Sequence, residues 1–157
     1  MNLHYLKGDA TQPQAEGIKI IAHICNDVGG WGKGFVMAIS KRWKAPETEY
    51  RNWYKNRFNS NFQLGEIQII QVEKELYVAN MIAQRSLKGK SNAIPIRYEA
   101  VEKCLKKLAV EAEYLNASIH MPRIGCGLAG GKWENIEPII KNCLEPLNIE
   151  TYVYDFE

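Results

Sequence analysis

The chain contains six short β-type segments, and several of them are apolar on both faces. The six are NLHYL (2–6), IKIIAHIC (18–25), GEIQIIQV (65–72), LYVANMIA (76–83), SIHMPRI (118–124) and ETYVYDF (150–156). A strand that is apolar on both faces is typical of a sheet that helices cover on both sides. The pattern therefore predicts an internal sheet.

Helix-type segments lie between these strands. Apolar residues step by three and four along two stripes, Tyr98, Val101, Leu105, Leu108, Ala112 and Leu115, and then Trp133, Ile136, Ile140, Cys143 and Leu147. Shorter helices are predicted over 35–43 and 46–57, with Pro46 in a favourable first turn. The alternation predicts an α/β domain with helices layered on a central sheet. The sequence does not give the order of the strands in that sheet.

Length and charge limit the possibilities further. The 157 residues, 46% of them apolar, fit a single domain over residues 1–157. Twenty basic and eighteen acidic residues leave a net charge of +2. The whole-chain charge therefore requires neither nucleic acid nor an anionic membrane as a partner, although a local basic patch stays possible.

Cysteine usage is typical of an intracellular protein. Cys25, Cys104, Cys126 and Cys143 are widely spaced and form no zinc-type pattern with the three histidines. The N-terminus lacks the apolar core of a signal peptide, and no apolar run is long enough to cross a bilayer. We expect reduced thiols, a cytoplasmic location, no membrane partner, and neither a metal nor another cofactor.

Two glycine-rich segments each lie between a predicted strand and a predicted helix. They are NDVGGWGKG (26–34) and GCGLAGG (125–131). In an open α/β sheet such turns gather at the carboxyl ends of the strands, where ligands bind. Their N–H groups and the positive ends of the following helices favour phosphate. A phosphate-bearing ligand is therefore predicted.

Two common phosphate motifs fit poorly. A Walker loop requires Ser or Thr after its lysine, but Gly34 follows Lys33. Gly125, Gly127 and Gly130 do match the G-x-G-x-x-G spacing, with Asp155 downstream, so dinucleotide binding stays open. Against it, the motif lies near the end of the chain and leaves the first glycine-rich segment without a role.

Five stretches together resemble a macrodomain, the ADP-ribose-binding α/β module. They are YLKGDAT, HICNDVGGWGKGFVMAI, LYVANMIAQ, MPRIGCGLAGGKW and YVYDF, which keep the family order over nearly the whole chain. The likeness is to the branch with terminal ADP-ribose glycohydrolases and yeast-type ADP-ribose-1″-phosphate phosphatases. It implies a single-domain three-layer α/β/α sandwich with a mostly parallel mixed sheet.

The resemblance also implies a ligand site. Asp9 is expected to accept a hydrogen bond from the adenine amino group, with the Ala10 N–H nearby, and Tyr154 to stack on the adenine. Asn26 is expected to bind the distal ribose. The diphosphate and the distal ribose are expected against two backbone segments: Gly125, Cys126, Gly127 and Leu128, and Gly29, Gly30, Trp31, Gly32, Lys33 and Gly34.

Ordinary structural interpretations of the same residues remain open. Asp9 is also typical of a turn cap, and Tyr154 of a strand. Trp31 either stacks on the ribose or fills a gap. Lys33 either contacts phosphate or extends into solvent.

The residues for catalysis are less clear. The glycohydrolase relatives use a lysine and an aspartate, but Ala129 follows the GCGL run and Met81, Ile82 and Ala83 occupy the lysine region. That mechanism is therefore not transferred. The phosphatase branch instead suggests His23 as a general acid or base with a near-neutral pKa, together with Asn26. Asp27 is the nearest carboxylate to orient a water or the imidazole.

Two of these residues also have a structural interpretation. A histidine in an apolar strand is commonly a hydrogen-bonded core residue, which applies to His23. Cys126 is interpreted as a small residue under a phosphate rather than as a nucleophile, because the sequence offers no histidine partner.

Two functions therefore follow from the sequence. The first is an enzyme that removes a group from the distal ribose of ADP-ribose, either the 1″-phosphate or an ester-linked or base-linked adduct. The second is a module that binds ADP-ribose without chemistry. The expected partner is ADP-ribose or an ADP-ribosylated substrate, with nucleic acid only as an ADP-ribosylated acceptor.

Overall fold

The computed structural model describes residues 2–156, which form six strands and four α-helices. The strands are β1 (Leu3–Lys7), β2 (Lys19–Asn26), β3 (Ile67–Glu73), β4 (Leu76–Gln84), β5 (Ser118–Met121) and β6 (Thr151–Asp155). The helices are α1 (Phe35–Arg42), α2 (Ala45–Lys55), α3 (Tyr98–Leu115) and α4 (Trp133–Leu144). Short 3₁₀ turns follow α2 and α4 at Arg57–Asn59 and Glu145–Leu147.

All predicted strands and helices are present, with shifts at their ends. The stripe predicted to reach Leu147 leaves the α-helix at Leu144, because a 3₁₀ turn containing Pro146 follows. The helix predicted over 46–57 ends at Lys55. These differences are of the size expected where a helix frays into a tighter turn.

The sheet has the strand order β1-β6-β5-β2-β4-β3. Every neighbouring pair is parallel except β3 with β4, which form an antiparallel hairpin. The mostly parallel mixed sheet implied by the resemblance is therefore confirmed. Because five strands run in one direction, the loops after β1, β2, β4 and β5 all leave from the same edge, where β6 also ends.

Alternate residues of the central strands pack into opposite helical layers. On β2, Ile20 and Ala22 belong to the larger core with α3 and α4, whereas Ile21 and Cys25 belong to the smaller core with α1 and α2. This alternation follows from the two-residue repeat of a strand. It explains why these strands are apolar on both faces, and it confirms the three layers.

No helix within residues 2–156 is long and apolar enough to cross a membrane.

Candidate functional site

The two glycine-rich segments meet at the carboxyl edge of the sheet. A Cβ atom at Gly34 would lie 3.9 Å from Cδ1 of Leu128. We call residues 27–34 the first glycine loop and residues 122–131 the second glycine loop. A third segment, residues 85–96, contacts both, since Leu87 lies beside Gly30 and Ile94 beside Gly130. The prediction that both loops lie at one edge is confirmed.

Asn26 organises the first glycine loop through its side-chain amide. Its Oδ1 accepts hydrogen bonds from the N–H groups of Val28 and Gly30, both at 3.0 Å, and from the Tyr50 hydroxyl at 2.9 Å. Its Nδ2 donates to the Gly30 carbonyl at 2.9 Å. The amide is therefore engaged within the loop, and its predicted contact with the distal ribose stays a prediction.

Gly29 is the position in the first glycine loop that most requires glycine. Its φ is +78°, and a Cβ there would lie 2.5 Å from the ring of Tyr54. The N–H of Gly29 donates to the Tyr50 hydroxyl at 3.1 Å, and its carbonyl accepts from Arg51 at 3.2 Å. Helix α2 therefore fixes the shape of this loop.

The Trp31 ring is buried in the core between the sheet, α1 and α2. Its indole N–H donates to Ser40 Oγ at 2.7 Å, and its ring meets His23 edge-on at 5.4 Å. Of the two interpretations of Trp31, the structure supports the gap-filling one, because the ring is 4% exposed. By contrast, Gly32, Lys33 and Gly34 are exposed, directly before the first residue of α1.

The second glycine loop is a compact turn before α4. Gly125 has φ +74°, and its carbonyl accepts a hydrogen bond from Gly131 N–H at 2.7 Å. Gly127 and Leu128 at the tip are exposed. Burial raises the pKa of the Cys126 thiol despite the nearby charge of Arg123. A protonated thiol is a poor nucleophile, which agrees with Cys126 as a small residue in the loop.

A cleft of about 540 Å³ adjoins the two loops. Phe35 and Pro122 line it beside the first and second glycine loops respectively. Its remaining walls come from the loop after β1, from α1 and from the end of β6: Gly8, Asp9, Ala10, Thr11, Met37, Ala38, Lys41, Arg42, Tyr154 and Phe156. The volume lies in the range of small-ligand pockets.

Asp9 is held in the cleft by its neighbours. Its Oδ1 accepts hydrogen bonds from the N–H and the hydroxyl of Thr11, at 2.8 and 2.7 Å. Its Oδ2 lies 3.5 Å from an Arg42 guanidinium nitrogen. Burial opposes ionisation, but the bonds from Thr11 and the charge of Arg42 outweigh it and lower the pKa. The carboxylate caps its turn through Oδ1 and leaves Oδ2 less engaged.

Tyr154 lines the same cleft as an almost fully buried residue. Its hydroxyl accepts a hydrogen bond from the Gln14 N–H at 2.8 Å and shares another with His120 Nδ1 at 2.8 Å. Burial raises the pKa of Tyr154, so the hydroxyl is neutral. These bonds tie the loop after β1 to the end of β6. Stacking of its ring on adenine stays a prediction, and the buried Ala10 lies on the same wall.

His23 differs from the sequence-based expectation. The ring is 1% exposed, its Nε2 shares a 2.6 Å hydrogen bond with Asn80 Oδ1, and burial lowers its pKa to about 4. Nδ1 has no hydrogen-bond partner within residues 2–156. The expected near-neutral pKa is therefore wrong, because the ring is desolvated between Trp31 and Phe35.

Asp27 connects the first glycine loop to residues 85–96. Its Oδ1 accepts a hydrogen bond from Ser86 N–H at 2.7 Å. Ser86 has φ +56°, an uncommon conformation for a residue with a side chain. The role of Asp27 in orienting water stays a prediction.

Several residues that shape the site escaped the sequence analysis. Tyr50 and Tyr54 support the first glycine loop from α2, while Thr11 and Arg42 orient Asp9. The four-residue spacing of Tyr50 and Tyr54 could have indicated a shared helix face. For Arg42 the sequence carries no comparable signal.

Fold and site together define a class of protein: a three-layer α/β domain with a ligand cleft and two glycine-rich loops at the carboxyl edge of its sheet. No family model matches the chain. A macrodomain protein from Streptomyces coelicolor is 48% identical, with a TM-score of 0.88 and 98% of each chain covered. The chain belongs to the macrodomain family.

Three other proteins are similar to this chain over nearly its whole length. A protein of unknown function from Bacteroides thetaiotaomicron is 56% identical, with a TM-score of 0.94 and 99% and 98% coverage. The mouse chromodomain-helicase-DNA-binding protein 1-like is 32% identical over 99% of this chain, which spans only 18% of that relative's length. The ADP-ribose 1″-phosphate phosphatase of Lodderomyces elongisporus is 25% identical over 99% of this chain and all of its own length.

Proposed function

We propose that the protein binds ADP-ribose or a derivative and hydrolyses a group attached to its distal ribose. The observation that carries this proposal is the contact between the two glycine loops beside a cleft that contains Asp9 and Tyr154. The full-length similarity to an ADP-ribose 1″-phosphate phosphatase supports the same function.

In this proposal the adenosine half of the ligand occupies the cleft. The adenine amino group donates to Oδ2 of Asp9, because Thr11 already supplies two hydrogen bonds to Oδ1. An ionised carboxylate favours an amino donor and disfavours a base that presents a carbonyl there. The apolar wall from Phe35 to Tyr154 encloses the base.

The diphosphate then lies between the two glycine loops. The exposed backbone at Gly32 to Gly34 and at Gly127 and Leu128 supplies N–H donors, and the N-terminal end of α1 adds its positive partial charge. Side chains in place of Gly32, Gly34 and Gly127 would separate the backbone from the phosphates. The glycines therefore let the main chain act as the binding group.

The distal ribose lies under the first glycine loop, where hydrolysis takes place. His23 does not transfer the proton, because it is buried and its pKa is about 4. Instead, its ring packs against the rings of Trp31 and Phe35. Asp27 is the carboxylate at the start of the loop, and we assign it the orientation of the attacking water. Asn26 holds the loop in shape through its bonds to Val28 and Gly30.

A second candidate function is the binding of ADP-ribose without chemistry. One observation favours it: both ends of the Asn26 amide are bonded to the first glycine loop, and His23 is buried. This arrangement shapes a binding loop without presenting a titratable group of near-neutral pKa.

Two measurements test the proposal. Calorimetric titration with ADP-ribose measures binding, and product assays with ADP-ribose-1″-phosphate and mono-ADP-ribosylated acceptors measure turnover. Binding with turnover supports the enzyme. Tight binding without turnover of any of these substrates supports the module that binds ADP-ribose without chemistry. Failure to bind ADP-ribose contradicts both. The cytoplasmic location is part of the same proposal and is tested by fractionation of cells that produce the protein.

A further inference from the structure

A closed cycle of hydrogen bonds joins the first glycine loop to α1 and α2. The indole N–H of Trp31 donates to Ser40 Oγ at 2.7 Å, and the Ser40 hydroxyl donates to Glu47 Oε1 at 3.0 Å. Glu47 Oε2 accepts from Arg51 Nε at 3.0 Å. The two terminal nitrogens of Arg51 then donate to the carbonyls of Gly29 and Trp31, at 3.2 and 3.4 Å. The loop is therefore held by a side chain and by its backbone at once.

Glu47 is the residue that orients Arg51 within this cycle. Its two oxygens face different helices, since one accepts from Ser40 on α1 and the other from Arg51 on α2. The bond from Arg51 is the main cause that lowers the pKa of Glu47, so the carboxylate is ionised at neutral pH. A guanidinium is planar, and a carboxylate bound at Nε fixes the direction of its other two nitrogens. The Glu47–Arg51 pair therefore determines where the two loop carbonyls lie.

The carbonyl bonds also fix the direction of the N–H groups that follow in the chain. In a planar trans peptide the C=O and the next N–H point in opposite directions. The peptide between Gly29 and Gly30 illustrates this geometry. Its carbonyl faces Arg51, while the Gly30 N–H donates to Asn26 Oδ1 at 3.0 Å. Both ends of this peptide are thus satisfied within the protein.

The peptide between Trp31 and Gly32 has the same carbonyl partner but a free N–H. Because the Trp31 carbonyl faces Arg51, the Gly32 N–H points away from α2. Gly32 is exposed, and no group within residues 2–156 accepts a hydrogen bond from its N–H. A Cβ at Gly32 would meet nothing within 4 Å, so the space beside this backbone is open. The loop therefore presents an oriented donor to a ligand.

We propose that Glu47 and Arg51 form a positioning pair that aims the Gly32 N–H at the diphosphate. This inference rests on the proposed function, in which the diphosphate lies between the two glycine loops. If the peptide were turned over, it would present the Trp31 carbonyl oxygen, which repels a phosphate. An exposed ion pair four residues apart on a helix contributes little to stability. We therefore expect loss of the pair to change ligand affinity more than the melting temperature.

Calorimetric titration of the Arg51→Met variant with ADP-ribose and with adenosine tests the inference. We expect ADP-ribose to bind about tenfold more weakly, the loss typical of one hydrogen bond to a charged group. Adenosine has no phosphate and should bind with unchanged affinity. Lys106→Met is the matched control, because Lys106 and Glu102 form another ion pair four residues apart, on α3 in the opposite layer. We expect this control to bind both ligands as the unchanged protein does.

Two conservative variants separate orientation from charge. Arg51→Lys keeps the positive charge but lacks the planar fork, and Glu47→Gln keeps the size of the side chain but loses the carboxylate. We expect both to weaken ADP-ribose binding and to move the Gly32 signal in the ¹⁵N spectrum of the ligand-free protein. A merely structural role would lower the melting temperature and leave the ratio of the two affinities unchanged.

Three results would overturn the inference: unchanged ADP-ribose affinity in Arg51→Met, an equal loss for adenosine, or an equal loss in Lys106→Met. The unchanged protein separates this inference from the proposed function. If it binds ADP-ribose and the Arg51 and Glu47 variants bind equally well, only the positioning role fails. If it does not bind ADP-ribose, the proposed function fails and the positioning role fails with it.

Discussion

At the scale of single residues, Asp9 is the side chain that we propose selects the base in the cleft. Thr11 saturates Oδ1, and Arg42 lies near Oδ2, so the carboxylate is ionised and oriented before a ligand arrives. Preorganisation of this kind reduces the cost of ordering the site on binding. Asp9 therefore caps its turn with one oxygen, as one of the two interpretations predicted, while its other oxygen has fewer partners. The second interpretation, adenine recognition, stays a prediction.

We expect Asp9→Ala to weaken ADP-ribose binding by about 1 to 3 kcal/mol, the value of a lost charge-assisted hydrogen bond. Thr11→Val keeps the Asp9 carboxylate and the backbone N–H donor but removes the hydroxyl donor, and should have a smaller effect. Calorimetry on both variants measures the difference. Equal affinity of Asp9→Ala and the unchanged protein would remove Asp9 from the adenine site.

At the scale of elements, the first glycine loop takes its shape from α2. Tyr50 and Tyr54 lie more than twenty residues away in sequence, yet one bonds the loop at Asn26 and Gly29 and the other packs on Gly29. The shape of the loop therefore depends on tertiary contacts with α2 and not on its local sequence alone.

We expect Gly29→Ala to lower the melting temperature, because a Cβ would lie 2.5 Å from the Tyr54 ring and φ is +78°. An alanine in the left-handed region costs about 1 to 2 kcal/mol before the clash is counted. Gly32→Ala is the matched control, since a Cβ there meets nothing within 4 Å. Thermal unfolding compares them, and equal melting temperatures would disprove this account of the loop.

The strands, helices and loops also show how much of the structure the sequence alone could predict. The strands and helices were predicted because apolar periodicity depends on the local pattern of residues, and alternate residues of β2 face opposite helical layers. The glycine spacing placed both loops at one edge. For His23 and Trp31 the sequence offered burial as one of two interpretations but did not decide between them, because the outcome depends on how α1 and α2 cover the sheet. A single sequence does not encode that packing as a periodic signal.

At the scale of the whole molecule, two buried histidines link folding to pH. Burial lowers the pKa of His23 and of His120 to about 4, below the ordinary value of 6.5. Between these pH values the unfolded chain binds protons that the folded chain does not bind. The free energy of unfolding therefore has its full value above pH 6.5, where both rings are neutral in either state, and it decreases as the pH falls toward 4.

We expect the free energy of unfolding to decrease by about 1.4 kcal/mol per pH unit for each of these histidines. Urea denaturation at steps between pH 6.5 and 5 measures this slope before most carboxylates titrate. His23→Asn should reduce the slope even where it lowers stability overall. A stability that does not change over this range would show that both rings titrate normally in the fold.

The central claim is that backbone N–H groups of both glycine loops bind the diphosphate, and glycine-selective ¹⁵N labelling tests it most directly. The chain has twelve glycines, so the spectrum stays simple during a titration with ADP-ribose. We expect the signals of Gly32, Gly34, Gly125 and Gly127 to shift together at saturation, while those of Gly17 and Gly65 stay in place. Shifts confined to one loop, or none in either loop while calorimetry detects binding, would contradict the account.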